Sequence, residues 1–141
     1  MIILMIKAGA RVNGKNGEGK TALMIAVDKE YEVIVQLLID ENANINAKDK
    51  QGKTALMIAA ERGNEKIVRL LLDRGADSNV DARGELGRMT LMWAVERRNE
   101  KVVQLLIDKG ADVNAKDDSI YYKTALMIAV DKGYEEIVRL L

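Results

Sequence analysis

Between Asp49 and Asn79 the apolar positions fall into two short blocks with helical spacing. The first, Ala55 to Arg62, is rich in Ala, Leu and Met and follows Thr54. The Thr hydroxyl suits a helix N-cap, because it accepts from a first-turn N–H that has no helical partner. Gly63 follows as a stop, since glycine takes the left-handed conformation that closes a helix C-terminus. Asn64 then opens a second block, with Glu65 near its positive end. Ile67, Val68, Leu71 and Leu72 make one apolar face, and Gly75 ends it. The pattern predicts two helices of about 8 to 11 residues, each marginal alone, followed by a turn-forming stretch.

The unit repeats. KTALMIAA at Lys53–Ala60 returns as KTALMIAV at Lys20–Val27 and Lys123–Val130, and diverges to RMTLMWAV at Arg88–Val95. Asn13, Asn46, Asn79 and Asn114 close the phrases GARVN, NANIN, GADSN and GADVN, at spacings of 33, 33 and 35 residues. The starts Thr21, Thr54, Met89 and Thr124 are spaced 33, 35 and 35, so two residues are added before the third start and two before the fourth. A self-similar period of this size implies stacked supersecondary units that bury a continuous core between neighbours.

The phrase DKQGKTALMIAAERGNEKIVRLLLDRGADSN, Asp49–Asn79, resembles an ankyrin repeat, and the resemblance extends over the whole chain. It implies an all-α solenoid of helix–turn–helix units with projecting loop hairpins. One array would cover residues 1–141. A partial repeat would occupy 1–15, with repeats at about 16–48, 49–81, 82–116 and 117–141, the last incomplete. Residues 1–8 would be the tail of a second helix. Neither end carries a polar cap, which is the expectation for a piece of a longer array.

Departures from the family phrase predict local costs. Its Pro is Ala22, Ala55, Thr90 and Ala125 here, and its His is Met24, Met57, Met92 and Met127. Ala is a good helix former, and Met turns the His slot into packing. Met89 replaces the capping Thr, at about 1 kcal/mol. Glu30 and Arg98 replace the inter-helix Gly, at roughly 1 kcal/mol each for a side chain held at positive φ. Asn42 is the tolerated substitute at another such place.

Composition narrows the chemistry. Lys plus Arg and Asp plus Glu are both 22, so the formal net charge is zero. The positive excess of a nucleic-acid binder is missing, as is a polybasic membrane surface. There is no Cys and no His, which removes thiolate sites and the commonest general base. The opening MIILMI is too short to span a bilayer and lacks a basic leader, so the expected setting is soluble and cytoplasmic.

Two motifs need weighing. Gly14–Thr21, GKNGEGKT, matches the pattern of a nucleotide-binding phosphate loop, with Lys20 reaching phosphates and Thr21 holding magnesium. Its Gly-Lys-Thr half is the repeat's own phrase, matched at Gly52–Thr54, and no strand–helix–strand pattern surrounds it. Asp112–Asp118, DVNAKDD, lacks the later Glu and the ligand spacing of a calcium loop. Neither a cofactor, a metal nor a small-molecule ligand is expected.

The expected function is protein–protein recognition; an NTP-binding enzyme and a passive structural spacer are the alternatives. In the resembled family the partner docks on a concave face made of loop tips and the exposed side of the first helices. Carried over by position, this implies Lys50, Gln51, Lys53, Glu61 and Arg62 in the second repeat. The third repeat contributes Leu86, Arg88, Glu96 and Arg97, and the fourth Tyr121, Tyr122, Lys123, Asp131 and Lys132. Asp28–Lys29, Glu61–Arg62, Glu96–Arg97 and Asp131–Lys132 alternate in sign, which predicts a mixed-charge groove. Trp93, in a slot held elsewhere by Ile, is expected to pack in the core between two helices, the alternative being that its edge reaches the concave face as a binding anchor. Tyr31 and Tyr134, at second-helix starts, are expected to be structural. The lengthened third and fourth loops carry Leu86 and Ile120–Tyr121–Tyr122, and insertions in solenoids gather on the binding face.

Overall fold

The computed structural model describes residues 9–76, 82–84 and 87–141. The expected second-helix tail in residues 1–8, the end of the GADSN phrase and Leu86 lie outside the described residues.

Eight helices and no strand are found among those residues. They pair as α1 Ala22–Asp28 with α2 Glu32–Asp40, α3 Ala55–Arg62 with α4 Glu65–Asp73, α5 Thr90–Glu96 with α6 Glu100–Asp108, and α7 Ala125–Lys132 with α8 Glu135–Leu140. Each first helix packs on its own second helix and on the first helices of adjacent pairs; second helices likewise stack on second helices. The result is an all-α solenoid, as the period requires.

The helix ends follow the residues predicted to make them. Thr21, Thr54 and Thr124 accept from the N–H of Met24, Met57 and Met127, each at 3.3 Å. Asn64 and Asn99 cap α4 and α6 through Ile67 and Val102, each at 3.0 Å. Met89 caps α5 with no side-chain bond, as its thioether dictates. Tyr31 and Tyr134 likewise give α2 and α8 no side-chain cap. Gly63 and Gly133 close α3 and α7 in the left-handed conformation. Glu30 (φ 60°), Asn42 (φ 67°) and Arg98 (φ 55°) hold the same conformation without being glycine.

The core is continuous along the stack. Leu23, Leu56 and Leu91 are buried at equivalent places, and so are Met24, Met57 and Met92, the slots of the family's His. Burying one such Leu is worth about 2 kcal/mol relative to leaving it in water. That gain, repeated at each junction, is what a seven- or eight-residue helix lacks alone. Polar ties cross the junctions on top of it. Arg62 bonds Asp28 at 2.9 and 3.0 Å, Arg74 bonds Asp40 at 2.9 Å, and the Asn99 amide donates to the Gly63 carbonyl at 3.0 Å.

Backbone strain at Glu30 gives a direct test. Glu30→Gly is expected to stabilise the chain by about 1 kcal/mol, because the left-handed conformation no longer opposes a β-carbon. Thr54→Ala is expected to cost about 1 kcal/mol through loss of the α3 cap. Urea unfolding of the two variants against the parent measures both.

Candidate functional site

The first, second and fourth turns each rest on one side-chain acceptor, whereas the third has Gly84 at that position. Asn16 Oδ1 accepts from the N–H of Glu18 (2.9 Å) and Lys20 (3.0 Å). Asp49 does the same for Gln51 and Lys53, both at 2.9 Å. Asp117 takes the N–H of Ser119 (3.2 Å) and Lys123 (2.9 Å) and the Ser119 hydroxyl (2.7 Å). A side-chain oxygen that satisfies two amides fixes a turn with no help from neighbours. The Asp117–Lys123 bond spans six residues where Asp49–Lys53 spans four, so the fourth repeat's two extra residues lie inside its turn.

That extension pushes apolar side chains into solvent. Ile120, Tyr121 and Tyr122 are 82%, 71% and 63% exposed. Tyr122 stands at φ 47°, the left-handed place that Gly19, Gly52 and Gly87 hold in the other turns. Lys123 lies 5.7 Å from the Tyr121 ring centroid.

Below the turns, the second, third and fourth repeats each tie the turn to the first helix with an ion pair. Lys53 meets Glu61 at 2.8 Å, Arg88 meets Glu96 at 2.5 Å, and Lys123 meets Asp131 at 2.6 Å. The charged residues implied as partner contacts are therefore bonded first to one another. Arg62 is committed backwards to Asp28. Lys50, Gln51, Arg97 and Lys132 are exposed, and Leu86 lies outside the described residues.

Trp93 corrects its expected role in part. It packs against the core but is only half-buried. Its ring carries two cations, Lys53 at 4.6 Å from the second repeat and Arg88 at 4.8 Å from its own. Cation–aromatic contacts of this kind are worth about 0.5–2 kcal/mol, more as water is excluded. The cause is size: where Ile58 and Ile128 fit within the junction, the larger indole stays half-buried and meets Lys53 and Arg88. The basic-to-acidic spacing of eight residues was visible in the chain at 53/61, 88/96 and 123/131. The Trp93–Lys53 contact between repeats had no such signal.

The phosphate-loop resemblance does not become a phosphate site. The amides of Gly14, Asn16, Glu18, Gly19 and Lys20 all donate within the turn. Thr21 is buried with its hydroxyl on the α1 cap, and Lys20 pairs with Glu18 at 3.3 Å. A shallow cleft of about 300 Å³ lies beside it, and its lining balances Lys20 and Lys50 against Glu18 and Asp49, so it carries no positive excess for a phosphate. The Asp112–Asp118 stretch forms turns: Asp112 accepts from Asn114 and Asp117 from Lys123. Among the described residues no group of three His, Cys, Asp or Glu is placed to hold a metal, and no helix is long and apolar enough to cross a membrane.

The stacked pairs, the capped TALM phrase and the turn hairpins are matched by a family description. The model for ankyrin repeats, written as three copies, fits residues 1–82, 50–117 and 78–141. The chain belongs to the ankyrin-repeat family. Comparison with curated proteins gives no match. Ankyrin repeats are in general protein–protein interaction modules.

Asp117 gives the site a pH dependence. Burial opposes its charge, but the Ser119 hydroxyl, the amides of Lys123 and Ser119, and the nearby Arg88 charge outweigh burial and hold its pKa below the ordinary 3.8. A carboxyl whose folded pKa is lowered stabilises the fold above its unfolded value, and that stability is lost as pH falls through the folded pKa. Amide exchange at Ser119 and Lys123 is therefore expected to stay slow near neutrality and to accelerate, beyond its intrinsic pH trend, as pH drops below 3.8. Asp117→Asn is expected to remove that acid transition.

Proposed function

We propose that this ankyrin array recognises a partner protein with the fourth turn as its apolar anchor and the charged groove floor as its frame. The observation that carries this reading is the run Ile120–Tyr121–Tyr122, exposed on a turn whose own polar groups are already satisfied by Asp117. Aromatic side chains on a pre-ordered support lose little entropy on binding and dominate interface energetics. Lys53, Glu61, Arg88, Glu96, Lys123 and Asp131 form the frame through their ion pairs, and Lys50, Gln51, Arg62, Arg97 and Lys132 make the outer rim. Leu86 belongs to the same reading by its position in the third turn. The mixed signs favour a protein of mixed charge over a nucleic acid. The setting we infer is the cell interior, and no catalytic role, cofactor or small-molecule ligand is assigned to the array.

Affinity capture of partners by the parent chain and by Ile120→Ser/Tyr121→Ser tests this. The double variant is expected to keep the parent's unfolding midpoint, because both side chains are in solvent, and to weaken a captured partner at least tenfold. A captured partner held equally by both chains excludes the fourth turn as anchor. If neither chain captures anything, the passive-spacer reading is favoured.

A further inference from the structure

Four equivalent segments carry an excess of positive charge. Lys20–Lys29, Lys53–Arg62, Arg88–Arg97 and Lys123–Lys132 each begin and end on a cation and hold one acid, at Asp28, Glu61, Glu96 and Asp131. Together they hold eight cations and four anions, in a chain whose formal net charge is zero. The closing cation directly follows the acid at the C-terminal end of the first helix, and it is exposed in all four repeats (Lys29, Arg62, Arg97 and Lys132). A helix dipole accounts for one cation there. It accounts neither for the acid beside it nor for the second cation that meets that acid from the turn.

The pairing decides which closing cations stay open. Asp28 is not held by its own repeat, since Lys20 pairs with Glu18 at 3.3 Å, and Arg62 of the next repeat reaches back to it at 2.9 Å. Glu61 and Glu96 are held within their own repeats, by Lys53 at 2.8 Å and Arg88 at 2.5 Å. Arg97 and Lys132 are the counterparts of Arg62 in the third and fourth repeats. The acids behind them are already taken, and neither has an ion-pair partner among the described residues. Both openings are therefore set at internal junctions, by acids of the second and third repeats.

We propose that Arg97 and Lys132 receive an acidic segment of the partner protein that presents two carboxylates about 8–10 Å apart. This rests on the reading of the array as a protein-recognition module and names the charge of the segment that meets it. The interval follows from the stack: α5 and α7 pack on one another, and the axes of packed helices lie about 8–10 Å apart. Arg62 reaching Asp28 shows that the C-terminal ends of neighbouring first helices stand side by side. A nucleic acid fits this row poorly. A duplex carries a phosphate charge at about every 1.7 Å of its axis, so its backbone would meet Glu61, Glu96 and Asp131 between the cations. The acids of the row favour spaced carboxylates over a continuous phosphate track. Solvated pairs of this kind act on encounter rate and orientation more than on affinity, which suits a segment that accompanies the turn-tip anchor.

An end-capped Glu-Pro-Pro-Glu-Pro-Pro peptide serves as the probe, because a polyproline turn of three residues rises about 9 Å and returns its side chains to one side. Titrated in low salt into the full chain carrying ¹⁵N, it is expected to shift the amide signals of Arg97 and Lys132 saturably, and to bind more weakly as salt is added. Arg97→Glu/Lys132→Glu is expected to weaken binding about tenfold, and Arg97→Gln/Lys132→Gln to fall between that chain and the parent. Both variants are expected to keep the parent's urea midpoint, because the two side chains lie in solvent; if the reversed chain loses stability, the neutral pair carries the test. Ile120→Ser/Tyr121→Ser is expected to leave the titration unchanged, which separates this row from the turn-tip anchor. An end-capped Glu-Glu-Pro-Pro-Pro-Pro peptide, of the same composition with its carboxylates adjacent, is expected to bind several-fold more weakly. No saturable shift, equal binding by the charge-altered chains, or equal binding of the two peptides overturns the proposal. So does a DNA duplex that binds more tightly than the probe, or self-association of the parent chain that Arg97→Glu/Lys132→Glu abolishes, which would assign the row to a second copy.

Discussion

Every part of this molecule depends on the burial of one repeat's first helix by the next. Helices of six to nine residues do not persist in water unaided, and the ion pairs that decorate them are partly solvated. What holds them is the sheet of Leu, Met and Ala side chains from α1, α3 and α5 that each following pair closes over. Stability is then a sum of junction terms along one dimension. The caps and left-handed residues adjust that sum locally without changing the architecture.

The same constraint arranges the surface. Once the apolar face of a first helix is spent on its neighbour, its charged residues and the turn before it stay at the surface. In the last three repeats the basic residue before the first helix leans onto the acidic residue eight positions later, and this fixes turn to helix at Lys53–Glu61, Arg88–Glu96 and Lys123–Asp131. Trp93 gathers two of these cations over one ring, which joins the second and third repeats. The fourth turn is tied by Asp117 and still projects three apolar side chains. Its order costs strain at Tyr122, a bulky residue held at positive φ.

Much of the fold could be read from the chain. Thr54, Gly63, Asn64 and the periodic apolar block give α3 and α4 their limits, because caps and left-handed stops act over four residues and need no distant partner. The strain at Glu30 and Arg98 followed from the missing glycine. The site was legible only in outline. The repeat register and the family resemblance supplied the positions expected to meet a partner but not their ion pairing with one another, and Trp93 was expected deeper than it lies. A ring's distance from a lysine in the preceding repeat depends on how two repeats slide together, and no local pattern encodes that offset.

The residue types alone settled the period, the helix pairs, the capping chemistry and the membership of this fold, since each rests on contacts within a few positions or on repetition. The stacked structure settled what lies on either side of each turn. It turned a phosphate-like phrase into a closed turn whose amides are used internally. It also showed that Gly19, Gly52 and Gly87 are covered by their neighbours while Tyr122 fills the same place with a side chain. Close approach between segments some 33 residues apart is a property of packing, and packing is where those two outcomes were decided.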